Sequence, residues 1–370
     1  MDHDTSFALC AGDFLVGGKE RCYDFSGMTT IFSLIRIWAK FTVMFSTIDM
    51  HCDSLMAAEF RDGPTADLFD RPEQAIDIKH LLNAGAMAQF FAIFIPPQEA
   101  FTRMKNPVDR PQYIEDCAQI FENTIARHGD VVAKACSAAD VEKNRKEGKL
   151  SAILAMEDGV EVRGDMAKLD HFYDLGVRSL ALTWNFENCF GAPNSKDPHI
   201  MGKVLTEFGK EAVRHMQDIG MLVDVSHASD GVFYDVCRIA RLPFIASHSN
   251  CRSVANHTRN MTDDMIRELH RHGGCMGINF LPGFLDDTPG NMESRVKDMV
   301  EMALHEKEIA GIDVIAIGTD FDGMSGDLEI DHPDRMYILY DALACAGFSV
   351  DEIEKIAFGN ALRVMKDAMH

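Results

Sequence analysis

The sequence predicts an α/β fold, a (β/α)8 barrel of the TIM type, on three observations. Eight short apolar runs alternate with longer amphipathic stretches from residue 45 onward. The runs are rich in Val, Ile, Leu, Phe and Ala with little strict alternation, which is typical of parallel strands buried on both faces. No repeat, linker or low-complexity segment suggests a second domain. A doubly wound open sheet is the alternative arrangement of the same elements.

The predicted strands lie at intervals along the chain, and helical patterns fill the spaces between them. In chain order the strands are FSTIDMHCD (45–53), AQFFAIFIP (88–96), SAILAMEDG (151–159), VRSLALTWN (177–185), MLVDVSH (221–227), PFIASHS (243–249), GCMGINFL (274–281) and DVIAIGTDFDG (313–323). The stretches 113–129 and 205–220 each end at a glycine, which fits a helix C-terminal cap. Thr262 is followed by two acidic residues and predicts a helix N-terminus.

Net charge and cysteine content exclude several classes of partner. Lys and Arg number 36 and Asp and Glu 58, so the net charge is −22. Such an acidic chain repels nucleic acid and anionic membranes but not metal cations or small zwitterions, and it has no basic stripe or aromatic platform for bases. The ten cysteines form no CxxC pair, which favours free thiols in a reducing compartment. We therefore predict a cytoplasmic protein that binds neither nucleic acid nor a membrane.

The N-terminal segment does not share the regular pattern. Its apolar run TTIFSLIRIWAKFTVMF is broken by Arg36 and Lys40, and the uninterrupted part is too short to span a bilayer. No convincing small-residue cleavage site follows it. We predict that residues 1–43 are a peripheral extension and that residues 44–370 form the single barrel domain. The C-terminal residues KDAMH carry no hydrophobic tail for a lipid anchor.

A histidine and an aspartate stand two residues apart at the end of the first predicted strand. Residues i and i+2 of a strand point to the same side, so His51 and Asp53 are expected to project together, with Cys52 facing away. In barrels of this kind, chemistry sits at the C-terminal ends of the strands. The polar residues at those ends are His51, Asp53, Glu157, His227, His248, Asp320 and Asp322.

Each of these residues alone has an ordinary structural explanation, such as a helix cap, an Asp-Gly turn or an ion pair. Five strands that deliver ligand-type side chains to one end of a barrel make coincidence the weaker explanation. Mixed imidazole and carboxylate ligands suit Zn, Mn or Fe rather than Mg or Ca. Three histidines, one aspartate and one glutamate exceed a single four-coordinate site. They suit two metals about 3.5–4 Å apart that share a carboxylate.

Several motifs together resemble the renal (membrane) dipeptidase family of zinc peptidases. In chain order they are IDMHCD, AMEDG, DVSHAS, IASHSNCRSV, HTRNMTDD, GINF, IGTDFDG and GNALRV. The similarity runs from about residue 47 to about residue 366. It implies a metallo-dependent hydrolase barrel that cleaves dipeptides with two zinc ions and a bridging hydroxide. The lack of a lipid-anchor signal separates the chain from the animal members and points to a soluble, microbial-type enzyme.

The resemblance also implies a role for each metal-type residue. His51 and Asp53 look like ligands of one zinc ion. His227 and His248 look like ligands of the other, and Glu157 looks like the carboxylate that bridges both.

Four further residues match or depart from the family pattern near the substrate. Asp320 matches the catalytic acid/base. Arg259 matches the arginine that holds the C-terminal carboxylate of the substrate, a task that suits a guanidinium because it can form two hydrogen bonds. Secreted members carry a histidine in LTH where this chain reads LTWN, so Trp184 takes that place and cannot become cationic. Asn185 could supply a donor instead, and Trp184 could be a wall of the pocket or part of the core.

Two other functions stay open from the sequence alone. Barrel hydrolases of cyclic amides, and deaminases, usually open with His-x-His and often use a lysine after strand four, whereas Asp53 and TWN stand at those places. A metal-containing peptide-binding protein without activity is the other, on account of Trp184. A serine nucleophile is disfavoured because no GxSxG elbow surrounds Ser247 or Ser249. The side-chain preference, tolerance of a D-residue, the native metal and formation of a homodimer also stay open.

Overall fold

Eight parallel strands close into a barrel in the computed structural model, which describes residues 45–105 and 107–370. The strands are β1 (Ile48–Asp49), β2 (Ala88–Phe94), β3 (Val132–Lys134), β4 (Leu150–Glu157), β5 (Val177–Ala181), β6 (Leu222–Asp224), β7 (Ile245–Ala246), β8 (Cys275–Ile278), β9 (Glu293–Ser294), β10 (Ile315–Ile317) and β11 (Asp327–Leu328). The barrel order is β1, β2, β4, β5, β6, β7, β8 and β10, and the pairing of β10 with β1 closes it. The predicted barrel is therefore confirmed over the open sheet. The extension predicted at residues 1–43 lies outside the described residues.

Each predicted apolar run contains one barrel strand, although most strands are shorter than the runs. Residues 45–53, for example, contribute only β1 to the ladder. The sequence did not predict β3, β9 or β11. β3 pairs with the first residues of β4, and β5 pairs with the later residues of the same edge of β4. β9 pairs with β11 in a separate two-stranded sheet. Strands of two or three residues are too short for a readable periodicity.

Helices surround the barrel and connect its strands. The α-helices span Ser54–Asp62, Ile78–Asn83, Arg110–Arg127, Ala138–Lys146, Met166–Leu175, Pro198–Met201, Glu207–Ile219, Asp230–Ile239, Asp263–Arg271, Pro282–Leu285, Val296–Ala310, Tyr337–Cys345, Val350–Glu354 and Asn360–Ala368. Short 3-10 segments span Gln98–Arg103, Gly159–Val162, Ile312–Val314 and Pro333–Arg335, and a π-helical turn spans Lys355–Gly359. Within the described part of the chain, no helix combines the length and the apolar character needed to cross a membrane.

Two predicted helix ends are confirmed and one is wrong. The helix Glu207–Ile219 ends at Gly220, whose φ of 79° is the left-handed conformation that glycine adopts without strain. The Thr262 hydroxyl accepts a hydrogen bond from the backbone of the next helical turn, as an N-cap does. The cap predicted at Gly129 was wrong, because His128 is the C-cap residue of the helix Arg110–Arg127 and Gly129 does not have the left-handed conformation.

The C-terminal helix closes the N-terminal end of the barrel. Phe90, inside the barrel, belongs to one buried hydrophobic cluster with Met365 of that helix. Asn360 Nδ2, at the start of the helix, donates to the carbonyls of Ile312 and Ile315 at 2.8 Å each. Because this end is filled, a ligand has access to the barrel at the opposite end, where the carboxyl ends of the strands lie.

Candidate metal centre and active site

The polar strand-end residues lie where the chain leaves the barrel strands. They are His51 and Asp53 after β1, Glu157 at the end of β4, His227 after β6, His248 after β7, and Asp320 and Asp322 after β10. The first six are buried and lie together around the barrel axis. Asp322 turns away from them: it accepts hydrogen bonds from Ser54 Oγ at 2.5 Å and Ala75 N at 2.7 Å. The DFDG motif therefore contributes one residue to the centre and one anchor for a neighbouring loop.

His51 and Asp53 project to the same side, as their spacing predicts. His51 Nε2 lies 3.7 Å from Asp53 Oδ1, while Cys52 Sγ points away and donates to the carbonyl of Phe90 at 3.4 Å. Both His51 Nε2 and Asp53 Oδ1 are buried and have no hydrogen-bond partner among the described residues. Burying such atoms without a partner is costly, so this pair fits a bound cation.

Glu157 faces two groups of ring nitrogens with its two oxygens. Its Oε2 lies 3.5 Å from His51 Nε2. Its Oε1 lies 2.7 Å from His227 Nε2 and 3.4 Å from His248 Nε2. A carboxylate placed in this way can contact cations on both sides, which is the arrangement expected of a bridging ligand.

The ligand atoms are close enough to share ions. Those of His51, Glu157 and His248 lie within 4.8 Å of one another. Those of His51, Asp53 and Asp320 also lie within 4.8 Å of one another. A donor set of imidazoles and carboxylates fits zinc, manganese or iron.

The protonation states also suit metal binding. Burial lowers the pKa of His227 to about 4 and lowers the pKa of His248 well below its ordinary value. Both rings are therefore neutral at pH 7, the form that ligates a metal. Burial also opposes protonation of His51, but the neighbouring carboxylates of Glu157 and Asp53 outweigh it and raise the pKa of His51 well above its ordinary value. This part of the cluster attracts positive charge.

Asp320 lies at the edge of the same cluster. Its Oδ1 is 3.8 Å from His51 Nε2, and its Oδ2 accepts a hydrogen bond from Asn279 Nδ2 at 3.0 Å. Burial raises the pKa of Asp320 to about 6, close to the pH at which a general acid/base works well. Its backbone, like that of His227, has a φ of 67°, a left-handed conformation that is uncommon outside glycine.

A cleft of about 580 Å³ opens above the cluster. One wall comes from the segments after β1, β2 and β5 and includes Arg103, but it is mostly apolar: Met56, Phe60, Phe94, Pro96 and Trp184. The facing wall comes from the segments after β7 and β8: His257, Arg259, Leu281 and Phe284. Glu157, His227 and Asp320 are exposed to the cleft between the two walls. A small ligand in the cleft therefore contacts an apolar surface, the metal-type residues and a cation.

Arg259 supplies a buried cation on the wall formed after β7 and β8. Its Nη1 donates to Ser249 Oγ at 2.7 Å and its Nη2 to the carbonyl of His248 at 2.8 Å. Its Nε has no hydrogen-bond partner among the described residues. Burial lowers the pKa of Arg259 to about 10, so the guanidinium stays charged at neutral pH. The side chain is fixed in the cleft and offers positive charge to a ligand.

Trp184 and Asn185 lie on the loop after β5, and both line the cleft. The Trp184 ring packs edge-on against Phe94, with 4.9 Å between centroids, and its centroid lies 6.3 Å from that of His227. Trp184 is half-buried and Asn185 exposed. The indole is thus part of the apolar wall rather than of the core beneath it.

Several residues that support the cluster were not predicted. Asn279 hydrogen bonds to Asp320, and Asp49 accepts from the hydroxyl and the backbone N–H of Thr319 at 2.7 and 3.0 Å. Asn279 stands within the GINF motif and Asp49 within IDMHCD. Their positions beside strand ends were the available signal, but their partners are distant in sequence.

Comparisons with known proteins agree with this geometry. A model of the membrane dipeptidase family (peptidase family M19) matches residues 37–370. Dipeptidase ataJ of Aspergillus terreus is 30% identical over 333 residues, which cover 81% of this chain and 78% of that protein.

Two solved structures have the same fold. The probable dipeptidase PvdM from Pseudomonas aeruginosa has a TM-score of 0.79 at 18% identity, covering 91% of this chain and 98% of that one. A metallopeptidase from Rhodobacter sphaeroides, solved with a phosphinate mimic of the dipeptide L-Ala-D-Ala, has a TM-score of 0.74 at 23% identity, covering 88% and 99%.

Proposed function

Because this chain belongs to the membrane dipeptidase family and is a metallo-dipeptidase, we propose that it hydrolyses dipeptides with two zinc ions held by the strand-end cluster. The observation that carries the proposal is the placement of Glu157, whose two oxygens face His51 on one side and His227 on the other. His51 and Asp53 would hold one ion, His227 and His248 would hold the other, and Glu157 would contact both. When bound, the two ions supply an activated water as nucleophile and polarise the scissile carbonyl.

Asp320 moves the proton in this proposal. It accepts a proton from the attacking water and gives it to the nitrogen of the leaving residue, which is general base and then general acid catalysis. Its pKa of about 6 allows it to hold the proton briefly and release it near neutral pH. Asn279 holds Oδ2, so Oδ1 is left to face the cluster.

Arg259 gives the substrate its direction. Its guanidinium binds the C-terminal carboxylate of the dipeptide, on the side of the cleft formed after β7 and β8. The peptide bond then lies over the metal-type residues, and the N-terminal side chain extends toward Phe94 and Trp184 on the opposite wall. This contact favours substrates that end one residue past the scissile bond, as dipeptides do.

The chirality of the C-terminal residue is not read by this contact. Arg259 binds the carboxylate, which L- and D-residues present alike. The Rhodobacter sphaeroides relative was solved with a mimic of L-Ala-D-Ala. We therefore include dipeptides that end in a D-residue among the substrates.

The alternative of a cyclic-amide hydrolase gains no support from the cleft, because no lysine is found among the described residues that line it. A binding protein without activity is disfavoured because Asp320, the proposed proton-transfer group, stands beside His51. The test is metal analysis together with a panel of L,L- and L,D-dipeptides and one cyclic amide, with and without a chelator. We expect about two zinc ions per chain and chelator-sensitive cleavage of dipeptides. Cleavage of the cyclic amide alone, or of nothing by the zinc-loaded protein, contradicts the proposal.

A further inference from the structure

We propose that Asp224, acting through the hydroxyl of Ser247, fixes the His248 ring in the tautomer that binds a metal ion. The inference rests on the proposed function in one respect, the role of His248 as a ligand. Asp224 is the last residue of β6, Ser247 follows β7, and both are buried. Neither touches the substrate cleft, so they are positioning residues.

A chain of hydrogen bonds connects the three residues. Asp224 Oδ1 accepts from the backbone N–H groups of Ser226 at 2.9 Å and Ser247 at 3.0 Å. Asp224 Oδ2 accepts from the Ser247 hydroxyl. Ser247 Oγ in turn lies 2.7 Å from Nδ1 of His248. Each oxygen of the carboxylate therefore has a defined partner, and the Ser247 hydroxyl is the one that reaches the ring of His248.

The chemistry of the groups sets the direction of each hydrogen. An ionised carboxylate can only accept hydrogen bonds, so the hydrogen of the Ser247 hydroxyl points to Asp224. Ser247 Oγ then presents a lone pair to His248 Nδ1, and Nδ1 must carry the ring hydrogen. In a neutral ring this leaves Nε2 with the free lone pair. His248 Nε2 is the atom that lies 3.4 Å from Glu157 Oε1, inside the metal cluster.

The backbone holds Ser247 in this position. A Cβ atom at Gly277 or Gly318 would lie 2.1 or 1.8 Å from the carbonyl oxygen of Ser247. The strands on this side thus approach Ser247 as closely as only glycine permits. This close approach at the Ser247 carbonyl limits the room for the Ser247 backbone to shift.

His227 has no comparable support. Its Nδ1 is buried and has no hydrogen-bond partner among the described residues. The hydrogen on Nδ1 of His248 is therefore set by Ser247, whereas Nδ1 of His227 has no such partner among the described residues. This difference makes the proposal specific to one histidine.

The test combines nitrogen NMR with zinc competition. In protein labelled with ¹⁵N-histidine, the ring shifts and couplings identify which nitrogen of His248 carries hydrogen, with His248→Gln used to assign its signals. Zinc affinity is measured by competition with a chromophoric chelator. The key variant is Asp224→Asn, because its amide oxygen can keep both backbone hydrogen bonds while its NH₂ group donates to Ser247. The serine hydrogen then turns toward His248 and favours hydrogen on Nε2.

We expect Asp224→Asn to lose the Nδ1–H form of His248 and to lower zinc affinity at one site by about 10–100-fold, as loss of a partner behind a metal-binding histidine does. Ser247→Ala removes the acceptor by another route and is used if Asp224→Asn does not fold. Ser247→Thr keeps the hydroxyl and is expected to restore zinc affinity, which a role in packing alone would not explain.

Asp322→Asn is the matched control, because Asp322 also binds a serine hydroxyl and a backbone N–H but leads to no histidine. We expect it to leave the His248 ring signals unchanged. Unchanged zinc affinity and an unchanged tautomer in both Asp224→Asn and Ser247→Ala overturn the proposal. Failure of the proposed function is a different result: wild-type protein that binds zinc but cleaves no dipeptide.

Discussion

Glu157 Oε1 lies 2.7 Å from His227 Nε2, and the other oxygen of the same carboxylate faces the opposite half of the cluster. Glu157 is the last residue of β4, where it pairs with β2 on one side and β5 on the other. Its position is therefore set by two neighbouring strands rather than by a loop. Residues in both halves of the cluster lie close to this one side chain.

Replacing Glu157 with glutamine is expected to reduce the binding of both metal ions. The amide is neutral and offers only one acceptor atom, so it cannot contact two cations. The affinity for both ions should fall by more than the roughly 10–100-fold loss seen when only a hydrogen-bond partner of a ligand is removed. Metal content after dialysis, measured by mass spectrometry, should therefore fall for both ions. Asp158→Asn is the control, because Asp158 accepts from Asn188 at 2.8 Å and Val160 at 3.0 Å instead. Full metal content in Glu157→Gln would contradict a bridging role.

Replacing Asp320 with asparagine separates proton transfer from metal binding. The asparagine can still accept the hydrogen bond of Asn279, so the loop should keep its shape, but it cannot carry a proton. We expect kcat to fall by about 10²–10⁴-fold with metal content unchanged. Steady-state assays and metal analysis of the same preparation check this. If the variant kept its turnover, Asp320 would not be the acid/base.

Replacing Arg259 with lysine tests carboxylate recognition. Lysine keeps the charge but cannot form two parallel hydrogen bonds. Losing one hydrogen bond to a charged group costs about 1.5–3 kcal/mol, so KM for a dipeptide should rise roughly 10–100-fold. The matched substrate is the same dipeptide with its C-terminus amidated, for which wild type and variant should differ little. An equal loss for both substrates would indicate that Arg259 acts through Ser249 and His248 instead.

Trp184 is expected to select the N-terminal side chain. Trp184→Ala removes the ring whose centroid lies 4.9 Å from that of Phe94. Contact between the indole and an aromatic substrate side chain is expected to contribute about 0.5–1.5 kcal/mol. The ratio of kcat/KM for Phe-Gly over Gly-Gly should therefore fall about 3–10-fold. Phe186→Ala is the control, because Phe186 is 59% exposed and near Trp184. A ratio that does not change in Trp184→Ala would remove the indole from the substrate wall.

Glu306 is expected to make stability depend on pH. It is fully buried in the helix Val296–Ala310, where, among the described residues, its Oε1 accepts a hydrogen bond only from Cys251 Sγ at 3.5 Å. Burial raises its pKa well above the ordinary value of 4.5. The folded protein thus keeps a proton that the unfolded chain releases. The free energy of unfolding should fall as pH rises above the ordinary pKa of 4.5. The fall should be up to about 1.4 kcal/mol per pH unit until the raised pKa is reached.

Glu306→Gln removes this dependence because glutamine does not titrate. Relative to wild type, the variant should become more stable as pH rises from about 5 to about 8, as measured by urea unfolding at several pH values. Glu308→Gln, on the exposed side of the same helix, should follow wild type. A constant stability difference between Glu306→Gln and wild type across this range would show that Glu306 is ionised in the folded protein.

The sequence predicted the barrel and most of the metal cluster because both have short-range signals. Apolar runs mark the strands, and the residue at the end of each run marks the ligand, as with His248 after β7. The relation between Asp224 and Ser247 was not predictable in this way. It depends on the register of β6 against β7, which pairs Asp224 with Ile245, and a pattern along one chain does not contain that register.

The shape of the cleft was also beyond the sequence. Trp184 could be read as wall, core or donor, and only its contact with Phe94 decides between them, because the two residues come from different strands. The anchor role of Asp322 is a similar case. It stands two residues from Asp320 in one motif, but it accepts hydrogen bonds from Ser54 and Ala75, which are distant in sequence.

The left-handed backbone at His227 and Asp320 implies a trade-off between stability and catalysis. Such conformations cost about 1–3 kcal/mol, and glycine would relieve the cost at either place. Directed evolution toward heat resistance alone would therefore favour glycine at both positions. Such a screen would yield more thermostable variants that had lost activity, unless each round also selected for product formation.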